Sequence, residues 1–275
     1  MNSKMTSPVA ISRIRGTHRE QTGDSIAIEE PLEILLQPFG EQPEAISVTM
    51  RTPGDDLVLA AGFLWGEGVL KGLSDIDAPR SYVIHTTNQV CIALAAGASG
   101  SAHQLKRHFY TTSSCGVCGK ASLDLIQQKS QFTMQTDLPT FKPSLIYRLS
   151  ESARLRQSAF EETGGLHAAA LFDGRGHLID LKEDVGRHNA VDKLLGRQLL
   201  DGKLPLSDKL LFLSGRASFE LVQKAKMAGI PMVAAVGAPS SLAVELAIDA
   251  GITLIGFLRD GRFNIYSGSQ RILTD

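Results

Sequence analysis

Cysteine is scarce in this sequence: three residues in 275. That number is too small for a disulfide scaffold and suits a reducing compartment. Long apolar runs are missing as well. None approaches the ~18 residues of a membrane-spanning helix, and the first eight residues, Met1-Asn2-Ser3-Lys4-Met5-Thr6-Ser7-Pro8, hold no hydrophobic stretch of the signal-peptide kind. The expectation is a cytoplasmic protein, neither membrane-spanning nor secreted. A surplus of charge is also lacking: 28 Lys and Arg stand against 29 Asp and Glu, a net charge of −1. No global basic field therefore argues for nucleic acid, although a local basic patch is compatible with these numbers. There is no repeat of fixed period and no low-complexity tract. The length suffices for a substantial core, as one large domain or two smaller ones.

What is present is concentrated. Two of the three cysteines lie in Thr111-Thr112-Ser113-Ser114-Cys115-Gly116-Val117-Cys118-Gly119-Lys120. Hydroxyls and glycines surround them, with no apolar periodicity. This reads as an exposed loop entering a helix, with sulfur chemistry as its purpose. Cys91 sits inside an apolar strand and reads as an inert core residue.

Along the chain, residues 1–24 are polar and rich in charge, a flexible N-terminal arm. Residues 32–36 and 45–50 read as strands joined around Phe39-Gly40-Glu41, with Ile46, Val48 and Met50 at period two. Thr52-Pro53-Gly54-Asp55-Asp56 predicts a helix start, with the Thr52 hydroxyl as cap and Pro53 in the first position. The helix then runs over 55–65. A second hairpin is expected over 82–85 and 90–94, and a helix over 121–128. Residues 133–142, with Pro139, form an irregular stretch that marks a subdomain boundary: 25–138 an N-terminal α+β subdomain carrying the cysteine loop, 139–275 a C-terminal domain.

Beyond that point a helix (144–157) and a hairpin (167–173, 177–181) precede helices at 188–199, 217–228 and 240–250. These alternate with strands at 209–213, 232–236 and 252–257, and a last strand covers 263–266. The pattern predicts a parallel or mixed sheet covered on both faces. In such sheets ligands sit beyond the carboxyl ends of the strands, where loops feed helix N-termini. Ser214-Gly215-Arg216-Ala217-Ser218, Gly237-Ala238-Pro239-Ser240-Ser241 and Arg259-Asp260-Gly261-Arg262 each follow such a strand. They offer amides, hydroxyls and arginines suited to phosphate or another anion, though capping and turn chemistry would use the same residue types. Two upstream clusters join them as candidates. One is Thr163-Gly164-Gly165-Leu166-His167, where His167 reads equally as a hydrogen-bonded core residue. The other is Glu183-Asp184-Val185-Gly186-Arg187-His188-Asn189, whose acids read either as site groups or as charge complementation at a helix start.

For Cys115 and Cys118 the spacing allows three chemistries. Zinc needs two more soft ligands, and there is no second cysteine pair or suitably spaced histidine. A redox pair needs a thiolate at a helix N-terminus, which Gly119-Lys120 could introduce. A sulfur relay needs an exposed thiol that takes the outer sulfur of a donor persulfide and hands it on.

Taken together, the motifs resemble the FdhD family of formate dehydrogenase accessory sulfurtransferases from about residue 25 to the C-terminus. They are Met50-Arg51-Thr52-Pro53-Gly54-Asp55-Asp56 with Gly62-Phe63-Leu64 and Glu67-Gly68, Ser114-Cys115-Gly116-Val117-Cys118-Gly119, and Thr163-Gly164-Gly165-Leu166-His167-Ala168-Ala169. Glu183 to Lys193, Ser214 to Glu220 and Phe257-Leu258-Arg259-Asp260-Gly261-Arg262 complete the set. The resemblance implies an α/β fold with a cytidine deaminase-like mixed-sheet C-terminal domain and a smaller N-terminal α+β subdomain, usually as a homodimer. It implies that sulfur passes from a cysteine desulfurase to the molybdenum of bis-molybdopterin guanine dinucleotide, for insertion into the formate dehydrogenase apoprotein. Cys115 maps to the persulfide carrier, with Cys118 a resolving or secondary thiol, and Phe257–Arg262 to cofactor contact. No zinc is expected: the deaminase His-x-Glu and Pro-Cys-x-x-Cys are missing. The cofactor-binding candidates are thus Ser214, Gly215, Arg216, His167, Arg187 and His188 with Phe257, Leu258, Arg259, Asp260, Gly261 and Arg262. The alternative is a non-catalytic chaperone for the molybdenum cofactor, its cysteine pair structural or redox-active.

Overall fold

A computed structural model of the chain describes residues 5–98, 130–133, 139–259 and 261–273. The loop with Cys115 and Cys118, the helix expected over 121–128 and Asp260 lie outside the described residues.

Alternating apolar strands and helices build a six-stranded mixed sheet in the order β12 (Arg262–Ser267), β11 (Thr253–Arg259), β10 (Met232–Ala235), β9 (Leu210–Leu213), β7 (His167–Phe172), β8 (Leu178–Asp184). The three central strands β9, β10 and β11 run parallel, and the flanking ones antiparallel. Both faces are covered, which is why the strands read as continuous apolar runs. In β9, Leu210 and Phe212 face one layer while Leu211 and Leu213 face the other, the period-two geometry of a strand. The first layer includes Ile146, Leu149 and Ala153 of α2 (Pro143–Arg154). The second includes α4 (Arg187–Leu200), α5 (Phe219–Met227) and α6 (Ser241–Asp249). A short helix, α3 (Ser158–Thr163), precedes β7.

A four-stranded sheet lies on the far side of that second layer, in the order β4 (Glu44–Arg51), β3 (Glu30–Gln37), β6 (Gln89–Ala93), β5 (Tyr82–Ile84). Its helix α1 (Asp56–Gly66) shares one core with the central sheet: Leu32, Ile34, Leu59 and Leu64 belong to the same apolar cluster as Leu194, Leu213 and Val233. Cys91 of β6 is buried outside that cluster, and desolvation raises its thiol pKa.

Helices α1 and α4 meet backbone to backbone. A β-carbon on Gly62 would fall 2.0 Å from the Asp192 carbonyl oxygen, and one on Gly196 would fall 2.0 Å from that of Val58. Neither chain segment can retreat without disturbing its own sheet.

Three readings need correction. Residues 1–24 are not a featureless arm: β1 (Thr6–Arg15) and β2 (His18–Ala27) pair along their whole length, turning at Gly16 with φ +62°. The polar composition hid an alternation that needs no deep core. Thr52 does not cap α1. The cap position is Asp55, itself in the left-handed region at φ 57°, while the Thr52 hydroxyl accepts the Val185 amide at 3.2 Å. Finally, β8 extends to Asp184, so Glu183 and Asp184 end a strand rather than begin a helix.

Replacing Gly62 or Gly196 by alanine should destabilise the fold by about 3 kcal/mol or more, since an inserted methyl meets backbone rather than a movable side chain. Urea denaturation gives the comparison, with Gly23→Ala, where nothing lies within 4 Å of an added β-carbon, expected to stay near wild type.

Candidate functional site

The carboxyl ends of β9, β10 and β11 lie on one edge of the sheet. Because β7 is antiparallel to β9, its first residue His167 lies on the same edge, paired with Asp184 at the end of β8. The N-termini of α4, α5 and α6 open from this edge through residues 185–186, 214–218 and 236–240. Unpaired first-turn amides and the helix dipoles favour negative charge there.

The loops are pinned to one another. Ser214 gives its amide to the Ala168 carbonyl at 3.0 Å, and its hydroxyl accepts the Ala168 amide at 2.8 Å. Gly237 donates to the Gly215 carbonyl at 2.9 Å, and Phe257 donates to the Gly237 carbonyl at 3.1 Å. Gly215 has a packing reason to be glycine: a β-carbon there would stand 3.3 Å from His167 Nδ1. His167, Gly215 and Gly237 thus form a continuous floor.

Three groups of basic character stand at this floor. His167 is half-buried, and its pKa is lowered by desolvation and then by the positive charges of Arg187 and His188, with Asp184 opposing. The Arg187 Nε is buried without a hydrogen-bond partner in the protein, a donor awaiting an acceptor. His188 Nε2 lies 3.3 Å from Ser218 Oγ and 3.7 Å from Glu220 Oε2. Contact with His188 brings the half-exposed Glu220 carboxyl down to about 2. Arg216 is exposed on its loop.

The stretch Arg259–Arg262 occupies the same edge but opens no helix. Arg259 pairs with Arg262 across the turn between antiparallel β11 and β12. At the irregularity before it, Phe257 adopts φ 54°, a conformation bulky side chains rarely take, with the Arg259 guanidinium 6.0 Å over its ring. Arg259, Gly261 and Arg262 are exposed. Leu258 is not available to a ligand: it is buried among Ile255, Phe212 and Phe141 in the core beneath α2.

The acids of the 183–189 stretch have structural work. Glu183 accepts the amides of Ala159 and Phe160 at 3.2 and 2.8 Å, satisfying the start of α3. Buried Asp184 accepts from the Gly186 amide, Asn189 Nδ2, Lys193 Nζ and the Thr52 amide at 2.8, 3.1, 2.7 and 3.2 Å. Asn189 Nδ2 also donates to the Met50 carbonyl at 2.7 Å. Charge complementation at a helix start was one reading of Glu183; the helix it serves is α3, not α4. Among the described residues no group of three or more His, Cys, Asp or Glu is placed to hold a metal ion.

Along residues 27–273 the chain matches the model of the FdhD/NarQ family. The chain belongs to that family. It is 48% identical to a protein of Streptomyces avermitilis named sulfur carrier protein FdhD, over 98% of this chain and 96% of that one. It is 46% identical to a Mycobacterium tuberculosis protein (90% and 92% covered) and 41% to one from Saccharolobus solfataricus (94% and 95%), both of the same name. A crystal structure from Desulfotalea psychrophila, described as a formate dehydrogenase accessory protein, superposes with a TM-score of 0.75 at 26% identity, covering 98% of this chain and all of that one.

The structure therefore brings together His167, Arg187, His188, Gly215, Arg216, Phe257 and Arg259 on the edge that the family motifs flank. Sequence reading missed Glu220 as a site neighbour. Its signal was available: a Ser-Phe-Glu run at a helix start opposite a histidine-bearing helix start.

His167 should titrate below the usual imidazole value of 6.5. Substituting Arg187 by alanine removes a positive neighbour and should raise the inflection, read from the ring carbon shifts in an NMR pH titration. An unmoved inflection would separate the two side chains.

Proposed function

We propose that this chain is a sulfur carrier that serves formate dehydrogenase, with Cys115 as the carrying thiol. The observation that carries the reading is the near full-length similarity to proteins named sulfur carrier, on a chain whose cysteine pair stands among glycines and hydroxyls. The thiolate of Cys115 attacks the outer sulfur of a cysteine desulfurase persulfide. A new S–S bond forms on Cys115, and the desulfurase cysteine leaves as a thiolate. The acceptor is the molybdenum of bis-molybdopterin guanine dinucleotide, sulfurated before the cofactor enters formate dehydrogenase.

The edge described above suits that acceptor as substrate. A bis-guanine dinucleotide carries two pyrophosphates. Helix-start amides, the buried Arg187 Nε that lacks an acceptor, and the exposed Arg216, Arg259 and Arg262 form a matching set of donors. His167, with its proton lost more readily than usual, can accept a hydrogen bond from ligand or water.

Two experiments test this. Incubation with a desulfurase and cysteine should add the mass of one sulfur atom to the wild-type protein and not to Cys115→Ala. A chain that stays unmodified under desulfurase turnover would instead leave a cofactor-binding chaperone as the reading. Separately, Arg187→Ala should weaken guanosine diphosphate binding about tenfold or more, as expected for loss of a charge-assisted hydrogen bond worth ~1.5–3 kcal/mol, measured by calorimetry. Unchanged affinity would move the phosphates off this edge.

A further inference from the structure

Three cations line one cavity at the sheet edge remote from the candidate site. Strand β7 starts at that site with His167 and ends at Phe172, so the turn 173–177 that joins it to β8 lies at the opposite edge. The two edges are roughly 17 Å apart at ~3.4 Å per strand residue. At the far edge the turn, the start of α2 and the stretch reaching Leu273 enclose a cavity of about 350 Å³. Lys142, Arg148 and Arg175 line it, together with the hydroxyl-bearing Thr140 and Ser144. None of its lining residues is acidic. Among the described residues, none of the three cationic side chains has an ion pair or a side-chain hydrogen bond. Acids of this corner are engaged elsewhere. Asp173 accepts the amides of Arg175 and His177 at 2.8 and 2.9 Å and lies 3.1 Å from the His177 ring, and Asp208 pairs with Lys209 at 2.6 Å.

Backbone contacts hold the cavity in shape. The Gly176 amide donates to the Asp173 carbonyl at 3.0 Å, which closes the turn. A β-carbon on Gly176 would fall 2.8 Å from Leu145 Cγ, so the turn sits directly against α2. Phe141 donates its amide to the Arg271 carbonyl at 2.7 Å, and Leu273 donates to the Phe141 carbonyl at 2.9 Å, tying the remaining side to the start of α2. Like charges fixed around one concavity repel one another, and no contact among the described residues offsets that repulsion.

We infer that this cavity is a second anion site, for a small molecule bearing a phosphate or pyrophosphate group. Arg148 and Arg175 present planar forks to phosphate oxygens, Lys142 adds a point charge, and the hydroxyls of Thr140 and Ser144 add neutral donors. Leu145 and Leu273 give the rest of the ligand an apolar contact. The volume falls in the ~300–1,000 Å³ range of small-molecule pockets rather than suggesting a polymer groove. The length of β7 separates this site from the first, so both can be filled at once.

NMR of the whole protein, titrated with inorganic pyrophosphate and with adenosine diphosphate, tests the site. The amides of Gly174 to His177 should shift saturably with both. Tighter binding of the nucleotide, with movement of the Leu145 and Leu273 methyl signals, identifies a phosphoester as the ligand, and equal affinity identifies the free pyrophosphate group. Lys142→Gln combined with Arg148→Gln changes two exposed residues outside the reporting turn and should weaken binding roughly tenfold or more. Arg187→Ala at the other edge should leave these shifts unchanged. Shifts that never saturate, that survive the double substitution undiminished, or that vanish in Arg187→Ala overturn the site. A hexaglutamate peptide that binds at these resonances more tightly than the nucleotide overturns the small-molecule ligand in favour of an acidic protein partner.

Discussion

The Asp184 carboxylate is the interaction on which the remaining geometry hangs. It ends a strand of the central sheet, and it is buried with donors from three directions: the loop after β4, its own turn, and the first two turns of α4. A buried carboxylate is costly unless its charge and lone pairs are matched. Here the match comes from Lys193 and from backbone and amide groups of separate elements, so each holds the others in place. The Lys193 ammonium also reaches the Thr52 carbonyl at 2.7 Å, which closes the circuit. The start of α4 is thereby fixed, and Arg187 and His188 with it. The candidate site inherits its shape from this unexposed group.

A second buried pair, Lys224 with Asp192, continues the same logic one layer further and ties α5 to α4. Burial raises the Asp192 carboxyl and the neighbouring Lys224 opposes that rise. Asp184, Asp192, Lys193 and Lys224 therefore knit elements together, while Arg187, His188 and Arg216 stand at the sheet edge. Sequence types alone do not separate these groups, because an acid that caps and an acid that reacts look the same.

Most of the architecture was legible. Apolar runs of strand length separated by amphipathic helices announced a covered mixed sheet, and glycine-rich junctions after β9 and β10 pointed to the sheet edge that carries the candidate site. The polar ribbon was not legible, because its alternation involves few apolar residues. The turn at Arg259–Arg262 was legible as a return between two strands, and those strands pair antiparallel. Leu258 was carried into the site by a contiguous motif, although strand alternation turns it inward. Phe257 in a left-handed conformation leaves no trace in composition.

The contact between Gly62 and Gly196 bears on how the chain is made. Helix α1 and the four-stranded sheet are complete by residue 93, yet the surface they bury is supplied by α4, over a hundred residues from α1 along the chain. During synthesis the amino-terminal portion emerges with the Gly62 face of α1 uncovered, and that face stays so until residue 200 has left the ribosome. Long-range pairing of this kind delays burial and leaves apolar surface open to chaperones or to other nascent chains. The close crossing that makes the finished molecule rigid is thus also the step for which its assembly must wait.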